Sequence, residues 1–333
     1  MISIIVPVYN AERYVEQLVN NIKNQTHKDF EAILVNNNSK DNTEKRLKEL
    51  IKDDSRFRIL FESKQGPNYA RLKGFESAIG EYVYFFDSDD RIYPHTIENL
   101  YRNAIENHSD IVIADYVEID ETGEITKRCK GINYSINDSS SIFDPEKTFF
   151  VKMPLWNKLI KRNMLKKEYF AFSSIGEDML ISLCCVANST KISYLDKEIY
   201  QYLVTENGLS YEVTLKNSLG ILETFKVMDL IFDNEFRKRY DEQKVYIQTQ
   251  HLLFRLMRSI LLNKNDRKIA YMQLTNFLKT SNYKNNVYYK KSIPFKGASF
   301  LLTNLFMYKV SSVILKPFLV NKTLQKVLKK LDK

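Results

Sequence analysis

The sequence predicts an α/β domain on a largely parallel sheet, followed by a mainly helical domain. Three observations predict it. Up to about residue 115, short β-branched and aromatic runs alternate with segments of helical periodicity. After Tyr211 the strand signals thin out while apolar residues keep helical spacing. At 333 residues and 44% hydrophobic content, the chain exceeds the size at which one core stops growing.

The strand candidates are Ile2–Val8, Phe30–Val35, Phe57–Phe61, Tyr82–Phe86 and Ile111–Ala114. Between the first two, Tyr14, Leu18 and Ile22 recur every four residues and line one helical face. Asp41-Asn42-Thr43 offers capping oxygens ahead of a second helix carrying Leu47, Leu50 and Ile51. A third helix runs from about Tyr69 to Ile79 and a fourth from about Thr96 to Ile105. From Ile119 to Ser141 the chain turns polar, with a hairpin turn at Asp120-Glu121-Thr122-Gly123 and a Ser/Asn-rich loop; order resumes at Phe143. Leu219–Phe232 and Val245–Leu262 read as long helices.

Three cysteines, Cys129, Cys184 and Cys185, are too few for a disulfide framework and lack metal-ligand spacing, which fits a reducing, cytoplasmic setting. The opening Met1-Ile2-Ser3-Ile4-Ile5-Val6-Pro7 has no basic region and no small-residue cleavage site, so it reads as a strand rather than a secretion signal. The most apolar run, Ala298 to Leu315, carries Lys309, Thr303, Asn304, Ser311 and Ser312, and reads as interfacial or buried. The net charge of +9 conceals an asymmetry: residues 251–333 hold 17 Lys+Arg against Asp266 and Asp332, a net of +15, leaving −6 on the first 250. Such a tail suits an anionic membrane surface, with a solvated helical face as the plain alternative. No recognition motif accompanies it, so nucleic acid is not an expected partner.

The apolar run Tyr82-Val83-Tyr84-Phe85-Phe86 looks buried on both faces and ends in Asp87-Ser88-Asp89-Asp90. Three carboxylates in four positions repel one another, and a hard divalent cation relieves that repulsion while bridging to phosphates. Ligands in open α/β sheets bind outside the carboxyl ends of the strands, where this cluster falls. The competing reading is a turn or cap before the next helix, for which three acids are more than needed. His27, His95, His108 and His251 are scattered without metal spacing. No Gly-x-Ser-x-Gly element, phosphate loop or Gly-x-Gly-x-x-Gly turn is present, which removes the commonest hydrolase, triphosphatase and dinucleotide readings.

Four ordered segments give the first 115 residues a specific resemblance. Ile4-Ile5-Val6-Pro7-Val8-Tyr9-Asn10, Val35-Asn36-Asn37-Asn38-Ser39-Lys40-Asp41-Asn42-Thr43, Gly66-Pro67-Asn68-Tyr69-Ala70-Arg71-Leu72-Lys73-Gly74 and the acidic cluster resemble, in order and spacing, a family 2 glycosyltransferase of the GT-A fold. Pro154-Leu155-Trp156-Asn157-Lys158-Leu159-Ile160 and Ile175-Gly176-Glu177-Asp178 resemble later motifs of its bacterial surface-polysaccharide members (capsule, teichoic acid, lipooligosaccharide).

The resemblance implies a Rossmann-like nucleotide-diphospho-sugar transferase domain over 1–210, with a nucleotide-binding half of about 1–115 and an acceptor-binding half of about 116–210, then a basic helical domain over 211–333. It implies Pro7, Tyr9, Asn37, Arg71, Asp87 and Ser88 around the nucleotide donor, and Asp87, Asp89 and Asp90 as ligands of Mn2+ or Mg2+. Asp178 becomes the general base, with Glu177 and Trp156 near the sugar or acceptor. Tyr9 can stack on a base, and Trp156 offers either an apolar face for a sugar ring or a core ring. The implied reaction is inverting transfer from a nucleotide sugar, UDP favoured, to a hydroxyl of a glycan that is in some cases lipid-linked; a homo-oligomer stays open.

Two positions depart from the pattern. Asn37 stands where the family usually has Asp, and could accept from uracil N3–H or donate to a base carbonyl. Leu203, in Tyr200-Gln201-Tyr202-Leu203, replaces an arginine; Lys158, Lys161 and Arg162 could compensate, or form an exposed basic turn. These departures keep a catalytically silent binding protein on the same fold in view. A nucleotidyltransferase is the rival enzyme, against which Tyr9-Asn10-Ala11-Glu12 lacks the glycine-rich basic loop.

Overall fold

A computed structural model describes residues 1–132, 142–143, 152–170, 175–205, 213–236 and 239–320. The expected Ser/Asn-rich loop therefore lies mostly outside the described residues. The chain divides into two compact units, Met1–Phe172 with Glu177–Glu206, and Ser173–Gly176 with Asn207–Lys333.

The first unit is built on one ten-stranded sheet in the order β3-β2-β1-β4-β9-β6-β10-β5, with β7 beside β6 and β8 beside β10. β1 (Ile2–Val8), β2 (Phe30–Asn36), β3 (Phe57–Phe61) and β4 (Tyr82–Phe85) pair in parallel, as the sequence predicts. Helices α1 (Val15–Lys23), α2 (Thr43–Ile51) and α3 (Pro67–Ser77) connect them, and α4 (Thr96–Asn107) follows. Val15, Leu18, Val19 and Ile22 of α1 are all buried, and each such aliphatic side chain contributes about 1.5–3 kcal/mol.

Beyond β4 the sheet is mixed rather than parallel. β9 (Lys158–Lys161) runs antiparallel between β4 and β6 (Ile111–Ile119), with Leu159 opposite both Tyr84 and Val112. β10 (Ile192–Leu203) pairs in parallel with β6 and antiparallel with the short β5 (Arg91–Ile92) and β8 (Ile142–Phe143). β6 and β7 (Ile125–Cys129) form the expected hairpin, where Asp120 Oδ1 accepts from the N–H groups of Thr122 and Glu124. α5 (Glu177–Asn188) buries every residue from Met179 to Ala187 and so shows no polar face.

The second unit is helical: α6 (Leu215–Ile231), α7 (Asp241–Ser259), α8 (Lys264–Thr280), α9 (Val287–Lys291), α10 (Ile293–Thr303) and α11 (Leu305–Val320). Thr214, Asn263 and Asn286 each accept N–H bonds at a helix start, satisfying donors that the first turn leaves free. Ile221, Phe225, Met228, Leu252, Leu256 and Leu274 supply its core.

Candidate active site

The carboxyl ends of β1, β2 and β4 meet at one edge, as the register pairs Val8 with Asn36 and Ile5 with Phe85. The loops after β1 and β2 are laced together there. Asn10 (φ 45°) and Asn38 (φ 62°) occupy the left-handed region that asparagine tolerates. The Lys40 N–H donates to Asn10 Oδ1 at 2.8 Å, the Asn10 N–H to Ser39 Oγ at 3.1 Å and the Ala11 N–H to Thr43 Oγ1 at 2.8 Å. On this rim Pro7 is half-buried and Tyr9 is 48% exposed, a ring open to a stacking partner.

Asn37 lies beneath the rim, 3% exposed. Its amide donates to the carbonyls of Glu62 (3.1 Å) and Lys64 (2.6 Å), and its Oδ1 accepts from the Gly66 N–H at 2.8 Å. Both N–H groups are thus spent on the β3–α3 loop, so Asn37 has none for a base carbonyl. A carboxylate could not make these two donations, which gives a physical reason for the amide.

The acidic turn sorts its carboxylates. Asp90, 1% exposed, accepts from the Tyr200 hydroxyl at Oδ2 (2.6 Å) and from the Leu203 N–H at Oδ1 (2.7 Å). Burial, then the charges of Asp89 and Asp87, push its pKa well above the carboxylate range. Asp90 thus braces the turn to β10, each of its oxygens already accepting a hydrogen bond, which weighs against it as a metal ligand. The Leu203 departure falls in the same brace, through its backbone. Asp87, Ser88 and Asp89 are half-buried, and the Asp87 N–H points at the Tyr200 hydroxyl at 3.3 Å. Burial and Asp87 also raise the Asp89 carboxyl, against the opposing charge of Arg13.

Arg71, on α3, joins distant parts of the chain. Its Nη2 donates to Asp87 Oδ1 at 3.0 Å and its Nη1 to Asp178 Oδ1 at 2.7 Å, while only 5% of the side chain is exposed. The guanidinium is held firmly charged by Asp178, Asp87 and Glu177 despite its burial, and Nε has no hydrogen-bond partner among the described residues. Gly74, one turn on, lets α3 reach the sheet, because a Cβ there would collide with Ile5 Cγ2.

Asp178 and Glu177 open α5, both half-buried. Burial, together with the charges of Glu177 and Asp87, pushes Asp178 up to about 7, while Arg71 and Lys158 act to lower it. Lys158, read from sequence as a compensating or exposed cation, is instead fully buried. Its ammonium donates to Lys152 O (2.5 Å), Pro154 O (2.6 Å) and Asn157 Oδ1 (2.8 Å). Burial pushes its pKa down to about 7, yet three acceptors match the three N–H bonds that only the protonated amine has. The carbonyl between those two, of Met153, accepts from Ser182 Oγ at 2.6 Å, one helical turn beyond Asp178. One loop thus clamps the helix that carries Asp178.

Of the two readings left open for Trp156, its surroundings favour the core ring. It is 5% exposed, stacked on Tyr200 (4.3 Å between centroids, 9°) and on Tyr202 (5.5 Å, 14°), and set edge-on to Tyr116. Sequence reasoning named Lys158 and the Tyr200-Gln201-Tyr202-Leu203 segment but not the roles they take here; the alternation Tyr200-x-Tyr202, which puts both rings on one face of a strand, was the available signal for the latter.

Among the described residues no group of three or more His, Cys, Asp or Glu side chains is arranged to hold a metal ion by itself. Asp89 and the Asp87 oxygen turned away from Arg71 nevertheless fit magnesium or manganese, which take one or two carboxylates and complete their shell from phosphates and water.

The glycosyl transferase family 2 model matches residues 3–172. Glycosyltransferase GlyA of Streptococcus pneumoniae is 32% identical over 217 residues, 63% of this chain and 31% of GlyA. The putative glycosyltransferase EpsH of Bacillus subtilis is 30% identical over 240 residues, 67% of each chain. Among solved structures, S. aureus TarS superposes with a TM-score of 0.65 at 18% identity, over 92% of this chain and 54% of that one. TarS 1–349 in complex with UDP-GlcNAc superposes at 0.56, over 86% and 89%. The match thus spans about a third of GlyA and about half of TarS.

Proposed function

Because the chain belongs to glycosyl transferase family 2, we propose that it transfers one sugar from a nucleotide-diphosphate donor to a hydroxyl of a cell-surface glycan. The observation that carries this reading is Arg71 holding Asp87, at the end of β4, and Asp178, at the start of α5, on one buried guanidinium. A carboxylate suited to proton abstraction thereby stands next to one suited to a donor diphosphate.

The reaction is a single displacement. The acceptor O–H attacks the anomeric carbon, Asp178 takes its proton, and the bond from that carbon to the diphosphate oxygen breaks as the new one forms. The electron pair leaves with the diphosphate and the configuration inverts. A base with a pKa near 7 balances proton affinity against being ionised at neutral pH. Protonation of Asp178 also frees Nη1 of Arg71 from its anionic partner just as the leaving group gains charge, so Arg71 strengthens its hold on the diphosphate at that moment.

Asp89 and Asp87 would hold the divalent metal, which supplies Lewis-acid stabilisation of the diphosphate. Tyr9 and Pro7 form the base end, Ser88 the sugar-facing turn, and Glu177 lies where it could orient the acceptor. The UDP-GlcNAc bound to TarS supports a uridine donor. A lipid-linked acceptor at the inner membrane face would explain the basic tail.

The test is transfer and donor hydrolysis across UDP- and GDP-sugars with manganese, using wild type, Asp89→Asn and Asp178→Asn. Full activity in both variants would sink the mechanism, and inactivity of the wild type on every donor would favour a silent binding protein.

A further inference from the structure

The last two described helices are inside out. α10 and α11 turn hydroxyl groups toward their own unit: Ser299, Tyr308, Ser311 and Ser312 are buried. The Ser299 hydroxyl lies 2.7 Å from that of Tyr289, the Tyr308 hydroxyl 2.7 Å from that of Ser259, and the Tyr271 hydroxyl donates to Thr303 O at 2.6 Å. Leu302 is buried with them, but other large apolar side chains face outward, with Phe300 61%, Phe306 71%, Val313 75% and Ile293 80% exposed. A surface helix that packs on its own domain shows the opposite arrangement. An apolar face of this extent marks a contact surface.

Charge identifies the partner. Lys290, Lys291, Lys296, Lys309 and Lys316 are all exposed, and no Asp or Glu occurs between Asp266 and Asp332. A second copy docked on this face by a two-fold axis would bring lysines against lysines with no acid to pair them. An anionic bilayer offers both complements, acyl chains for the apolar residues and phosphates for the ammonium groups. No single helix among the described residues is long and apolar enough to cross a membrane. Lys296–Thr303 and Leu305–Lys316 reach that hydropathy only together, across a 97° bend.

We propose that α10 and α11 dock on an anionic lipid surface, with Phe300, Phe306 and Val313 in the headgroup boundary and the lysines on lipid phosphates. This does not depend on the catalytic reading, so either can fail alone. The full chain is sedimented with phosphatidylglycerol-containing or pure phosphatidylcholine vesicles at low and high salt. Binding to the anionic vesicles is expected to weaken by about tenfold or more as salt rises. Phe306→Ser with Val313→Ser should weaken it with little change in melting temperature, and each of Lys291→Gln, Lys296→Gln and Lys309→Gln by about fivefold. The proposal is overturned by equal binding to both vesicle types, by no binding, or by an oligomer that Phe306→Ser dissociates while lipid binding stays intact.

Discussion

Nη1 of Arg71 stands 2.7 Å from Oδ1 of Asp178, a residue 107 positions later in the chain, and this contact ties the acidic turn after β4, through Arg71, to the proposed base. The candidate base is therefore paired before any substrate arrives. Asp178→Asn keeps an acceptor for Arg71 but cannot take a proton. It should lower kcat by about 10²–10⁴-fold, with UDP affinity measured by calorimetry unchanged.

The position of Asp178 near 7 sets a pH dependence. The ionised form is the base, so kcat/KM should rise with pH and level off above about 7. Stability should run the other way. The folded carboxyl holds its proton more tightly than the unfolded one, whose pKa is about 3.9, so folding stability is lost as pH rises from about 4 to about 7. Thermal melts of wild type and Asp178→Asn across this range check the sign, since the variant should lack this loss.

Lys158 should tune the same limb. The charged groups acting on Asp178 are Arg71 from α3, Asp87 from the acidic turn, Glu177 from α5 and Lys158 from β9. Lys158→Met removes one of the two cations, so the acid limb of kcat/KM should move up by about one pH unit. Ser182→Ala loosens the clamp without touching a charge and should lower kcat at every pH with the limb unmoved. An unmoved limb in Lys158→Met would reduce that lysine to a structural cap.

Asp89 and Asp90, neighbours in sequence, should separate by experiment. Asp89→Asn should remove manganese-dependent activity, just as chelation does in the wild type. Asp90→Asn sets an amide against the Tyr200 hydroxyl and the Leu203 N–H, both of which donate to it in the native turn. It should cost about 1–3 kcal/mol of stability while activity at saturating manganese persists below the melting transition.

Restoring the usual family residue at position 37 should harm this protein. Asn37→Asp turns a carboxylate toward the carbonyls of Glu62 and Lys64, where the amide now donates. The expected cost is about 1–3 kcal/mol, read as a lower melting temperature at neutral pH.

The parallel part of the sheet was largely legible because β1 to β4 are short apolar runs with clear ends, and because an arginine and an acidic cluster occur among them at recognisable offsets. What stayed hidden depends on β9 and β10. Nothing near Asp90 in sequence reveals that Tyr200 and Leu203, more than a hundred residues away, donate to its two oxygens. Trp156 was undecidable alone and became a core ring through Tyr200 and Tyr202. Lys158 broke the rule that lysine stays exposed, because carbonyls of its own loop replace water around the ammonium.

β9 has a further consequence for how the first unit can be divided. Residues 158–161 form the strand that β4 leans on, and β6 reaches the rest of the sheet through β9 rather than touching β4 directly. A chain stopped at 115 would keep the rim of Tyr9 and the acidic turn but expose the backbone of β4 as a raw edge, and would lose the β10 brace under Asp90. The expected boundary near residue 115 therefore cuts through one continuous sheet. Neither side of that boundary can be exchanged as a cassette without breaking the β4–β9–β6 pairing.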